Sequence, residues 1–101
     1  MTIMYTKIFR YHIDEQHYSL WFHLSRASNE IYGSYPDVSF KQSPKRKVGG
    51  GMAIEEVIVY PSRSYCEQMH DTLRIDPEIC EMSQLFLKIV RGEIEEEEIG
   101  E

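Results

Sequence analysis

Several groups of residues have the types and spacing to do chemistry. His12, Asp14, Glu15 and His17 lie close together and carry donor atoms suited to a divalent metal. Cys66 and His70 stand four apart, the spacing that puts two ligands on one helix face, with Cys80 as a third from a later helix. His12 and His23 are a candidate acid–base pair. Lys41, Lys45, Arg46 and Lys47 form a basic run able to grip phosphates. Lys-Arg-Lys after a proline also suits a nuclear-import peptide.

Each group has a plainer reading. The histidine cluster straddles a strand face and a flexible turn, and the cysteine set lacks a fourth ligand. In the expected strand register four residues separate the two histidines along the strand. At about 3.3 Å per residue they stand roughly 13 Å apart, too far for one reacting atom. Gly49-Gly50-Gly51 is not followed by Gly-Lys-Ser/Thr, so it is no phosphate loop. There is no Ser/His/Asp spacing, no catalytic carboxylate pair and no cofactor fingerprint. These absences predict a chain that is not an enzyme and holds no cofactor and no metal.

The elements that position these residues start with the stretch 3–25. Ile3, Tyr5, Phe9, Tyr11 and Ile13 fall on odd positions, interrupted by Lys7, and Tyr18, Leu20, Phe22 and Leu24 on even ones. Period two predicts two β-strands around a turn at 14–17. An even-length loop pairs Tyr11 with Leu20 and Phe9 with Phe22, keeping the large apolar residues on one side. Arg10 then faces Trp21 on the other side, beside His12 and His23. A Trp next to an Arg on a polar face has the composition of an interface anchor. The plainer alternative places Trp21 under the loop that follows.

Residues 26–53 are rich in Ser, Gly, Pro and Asn and read as a long loop, with Val38 and Phe40 as a short edge strand. Tyr32 and Tyr35 flank Gly33-Ser34, a composition that adaptable binding loops use. Residues 54–60 predict a strand apolar on both faces in its C-terminal half, hence central. Ser64 and Glu67 form a capping box at the start of a helix whose stripe is Tyr65, Met69 and Leu73. Asp76 caps a second helix with Pro77 at its first position, an apolar face of Ile79, Met82, Phe86 and Ile89 or Val90, and Gly92 as its stop. The predicted fold class is α+β: an antiparallel hairpin plus one or two strands, with two C-terminal helices on one face of the sheet.

At 101 residues and 42% hydrophobic the chain builds one modest core, taken as one domain over 1–92. No apolar run approaches the length of a membrane span, and the N-terminus lacks a signal layout, so a cytoplasmic protein without membrane contact is expected. Cys66 and Cys80 are expected as reduced thiols. The formal net charge is −6, and residues 93–101 hold six glutamates. Without them the 11 remaining acidic residues balance 11 basic ones. The tail 93–101 is therefore expected to be acidic and disordered.

Two functions fit these readings. The first is a small non-enzymatic protein-binding protein, such as an inhibitor carried by a phage or mobile element, an immunity protein or an adaptor. It would act as a monomer or homodimer on a protein partner through Arg10, Trp21, His23, Tyr32 and Tyr35. The second is a nucleic-acid-binding module using Lys41, Lys45, Arg46 and Lys47 with exposed aromatics, although the neutral body argues against it. A weaker third is a hydrolase using His12 or His17.

Overall fold

The structure is a computed structural model and describes residues 4–100. The chain runs β1 (Tyr5–Ile13), a 3-10 turn (Glu15–His17), α1 (Tyr18–Gly33), β2 (Ser39–Arg46), β3 (Met52–Tyr60), α2 (Arg63–Leu73), α3 (Pro77–Ile89) and β4 (Val90–Gly100). The four strands form one antiparallel sheet in the order β2-β3-β1-β4. This is the split β-α-β arrangement of ferredoxin-like folds, with two helices in the second crossover. Two clusters fill the space between sheet and helices. Tyr11, Ile13, Trp21, Leu24, Met52, Ile54 and Ile89 make one. Tyr5, Ile58, Tyr60, Cys66 and Met69 make the other. The opposite face of the sheet carries no helix among the described residues.

The α+β class and the central third strand agree with the sequence reading, but the opening hairpin does not exist. β1 pairs with β3 on one side and β4 on the other. The segment expected as its partner is α1. Tyr18, Leu20, Phe22 and Leu24 alternate, yet Trp21 and Leu24 also fit helical spacing, and they are the helix's buried residues. Burying the Trp21 indole decides between the two periods, and Phe22 is left 52% exposed. Ile3 lies outside the described residues.

The expected long loop 26–53 also resolves into structure. α1 continues to Gly33, and β2 takes in most of the basic run, with Pro44 tolerated because β2 is an edge strand. The glycine triplet closes the β2–β3 turn with positive φ at all three residues. A Cβ at Gly51 would stand 2.9 Å from the Ile13 carbonyl oxygen.

The acidic stretch is not a free tail, because residues 90–100 form β4 along β1. Lys7 holds Glu96 at 3.2 Å and Arg10 holds Glu97 at 3.0 Å. Cations on the neighbouring strand thus allow a poor strand-former to pair. Gly92 lies within β4 at φ +78° rather than stopping α3. Asp76 caps α3 as expected, its Oδ1 accepting from Glu78 N at 2.9 Å. α2 is capped two residues earlier than expected, by Ser62.

Candidate functional site

The site begins with strand parity in β3. Ile54, Ile58 and Tyr60 face the helices and are buried. Glu56 lies on the same face, between Ile54 of the first cluster and Ile58 of the second. A carboxylate therefore occupies the seam of the core. Above it is a cavity of about 170 Å³ between α1, α3 and the sheet. Leu24, Ile31, Tyr32, Leu73, Met82 and Phe86 supply most of its wall, with Ser28, Ser83 and Ile79 completing it around Glu56.

Glu56 is held by side chains from both neighbouring strands. The Tyr11 hydroxyl and the Gln42 amide both donate to Oε2, the latter at 3.2 Å. Trp21 Nε1 donates to the Tyr11 oxygen at 2.8 Å. The Gln42 carbonyl accepts from Ser25 and, at 3.2 Å, from Asn29. This fixes the orientation of its amide. Phe86 meets Tyr11 edge-on at 4.8 Å, and Tyr32 stacks on Phe40 at 4.3 Å. The other carboxylate oxygen, Oε1, accepts no hydrogen bond among the described residues.

Burial raises the Glu56 pKa above the ordinary carboxylate value, while the bonds from Tyr11 and Gln42 oppose the rise. Burial pushes the Tyr32 phenol up to about 12 and drives Tyr11 higher still, with Glu56 adding to the latter. Both tyrosines stay protonated around neutral pH, so Glu56 is the group of this cavity placed to exchange a proton.

The expected site residues are scattered. Trp21 is 3% exposed and serves the core, so it cannot anchor a partner from an outer face. Arg10 lies on the open face of the sheet, bonded to Glu55 and Glu97 rather than stacked on the indole. His23 is exposed on α1, Tyr35 is partly buried against the second cluster, and only Tyr32 lines the cavity. Lys41 and Lys45 share one face of β2, Arg46 takes the other, and Lys47 starts the turn. The run is thus divided rather than gathered into one patch. Among the described residues no three His, Cys, Asp or Glu side chains gather as metal ligands, and Cys66 and Cys80 are free thiols.

Fold and cavity together define a small α+β domain of ferredoxin-like topology with the Glu56 carboxylate at the seam of its core. No family model matches the sequence, and no curated protein matches it. Solved structures do match its fold. A protein from Nitrosomonas europaea assigned as an antibiotic biosynthesis monooxygenase superposes with a TM-score of 0.74 at 9% identity, covering 100% of this chain and 92% of its own. SnoaB, a cofactor-independent oxygenase from Streptomyces nogalater, gives 0.67 at 7%, covering 96% and 91%. A NIPSNAP family protein from Agrobacterium tumefaciens gives 0.74 at 12%, covering 100% and 88%. These likenesses correct the expectation of a phage- or mobile-element-type inhibitor. Over its full length the chain has a fold that oxygenases use, and the indole on which the binding face depended is buried. Of the features offered for nucleic-acid binding, the Trp21 platform is closed to base stacking and the basic run is divided between the two faces of β2. Among the described residues no helix is long and apolar enough to cross a membrane.

Sequence reasoning missed Glu56, Tyr11 and Gln42. The signal for Glu56 was present, because it shares the parity of Ile54, Ile58 and Tyr60 and so must point where they point.

Proposed function

We propose that the protein is a small-molecule-binding, enzyme-like domain. Its ligand sits between helices and sheet, and Glu56 accepts a proton or hydrogen bond from it through Oε1. One observation carries this reading: a carboxylate with a raised pKa at the floor of an apolar cavity, fixed on one oxygen and free on the other. Placing a carboxylate in a core seam opposes stability, and such groups cluster at functional sites. The oxygenases of the same fold support an enzymatic reading over a purely structural one. The volume limits the ligand, since an apolar cavity of about 150 Å³ holds benzene. The site takes one ring or a branched chain of that size, not a fused polycycle.

The chain has a single tryptophan, whose indole N–H bonds to Tyr11 and so reports on Glu56. Titrating one-ring compounds into the protein should shift that one indole resonance. Ser83→Phe, at the exposed rim, should fill the cavity and abolish the shift while the fold is retained. Binding that survives in Ser83→Phe, or that never moves the indole, would place the site elsewhere.

A further inference from the structure

The charge inventory of the cavity says what kind of ligand it takes. Glu56 is the only charged residue in its wall, which has no Lys, Arg or His. On the strand that bonds Glu56, Lys7 is committed to Glu96 and Glu98, and Arg10 lies on the other face of the sheet, bonded to Glu55 and Glu97. Both internal donors converge on Oε2, and Oε1 is left without a partner among the described residues. Tyr32 and Phe86 put aromatic rings in the wall. A ligand that enters strips the remaining water from the carboxylate. An anion there would be repelled, and a neutral ligand would leave the charge uncompensated. A cation supplies the missing countercharge and gains from the aromatic rings.

We propose that the cavity binds a small organic cation, a protonated amine on one ring or branched alkyl group, with an ammonium N–H directed at Glu56 Oε1. This rests on the cavity being the ligand site, as argued above, and adds the chemical class of the ligand. The pH dependence follows. The groups facing Glu56 are Tyr11 from β1, Gln42 from β2 and Tyr32 from α1, while α2 and α3 present Leu73, Ile79, Met82, Ser83 and Phe86. Only the two tyrosines among them titrate, and both do so far above neutral. Amine binding therefore tightens as pH rises through the titration of Glu56. A neutral ligand favours the protonated carboxyl and shows the opposite slope.

The test compares benzylammonium, benzyl alcohol and benzoate on the intact chain, by calorimetry and by the Trp21 indole resonance. Hydrogen bonds to charged partners exceed neutral ones enough to predict about tenfold tighter binding of the amine than of the alcohol. Benzoate should bind weakest. Glu56→Gln should bring the amine down to the affinity of the alcohol, with an unchanged amide spectrum elsewhere showing that the fold is intact. If the alcohol binds in the cavity as tightly as the amine, or if Glu56→Gln leaves the amine preference, the cationic ligand is ruled out while the cavity remains the site. If none of the three binds there, the cavity reading itself falls and this inference with it.

Discussion

Glu55 and Glu56 are adjacent in β3, and strand parity sends them to opposite faces of one sheet. Glu55 points to the open face, 3.0 Å from Arg10, with both side chains more than 40% exposed. Glu56 points under the helices, where it meets neutral donors, no cation and an apolar cavity. The open-face glutamate is an ordinary surface ion pair, screened by water and salt. The other has its protonation set by burial. The same side chain becomes solvation in one place and a reactive group in the other, and the backbone alternation makes the difference.

Substitutions can break or sharpen this contrast. The largest effect should come from Trp21→Ala on the covered face, which opens a core void and orphans Tyr11. A loss of about 3–5 kcal/mol is expected in urea unfolding. Arg10→Ala on the open face should cost far less and become neutral in high salt. Equal losses would mean that the two faces are not different environments.

Two tyrosines under the helices give a finer contrast. Tyr11→Phe removes a donor from Glu56 and should cost about 1–3 kcal/mol. The Tyr60 hydroxyl is buried and makes no hydrogen bond of good geometry among the described residues, although the Tyr32 hydroxyl and the Cys66 thiol lie close to it. Tyr60→Phe should therefore be neutral or stabilising by up to about 1 kcal/mol. A clear loss there would reveal a partner for that hydroxyl.

The glutamates themselves come next. A carboxyl whose folded pKa is raised binds its proton more tightly in the folded state. Its penalty is absent below the unfolded value and grows as pH rises through the folded one. Glu56→Gln should thus stabilise the protein at neutral pH and lose that advantage in acid. Thermal melts at the two pH values check this. Glu55→Gln should change stability least, by under about 1 kcal/mol, through loss of the Arg10 pair.

Much of the fold was legible where local signals agreed with tertiary packing. α3 was marked by Asp76 and Pro77 at its start and by Met82, Phe86 and Ile89 along one stripe, and the structure has all of these in place. β3 was apolar on both faces and proved to be an inner strand. α1 was misread because Tyr18 to Leu24 satisfies two periods, and the tie was broken by burial of Trp21 against β1. β4 was illegible because its glutamates signal solvation, and the cations that hold it, Lys7 and Arg10, lie far away in sequence. The site was half legible. Parity with Ile54 and Ile58 could have placed Glu56 inward, though it was not read so, and Tyr11 and Gln42 meet it only once β1 and β2 flank β3.

The central claim is that Glu56 keeps a raised pKa at the floor of the cavity. Carbon-13 NMR titration of the glutamate carboxyls, with the Glu56 signal assigned by its disappearance in Glu56→Gln, measures it directly. The account predicts a midpoint above those of the other glutamates, coupled to a shift of the Trp21 indole over the same pH range. A Glu56 that titrates with or below the strand glutamates, leaving the indole unmoved, would contradict it.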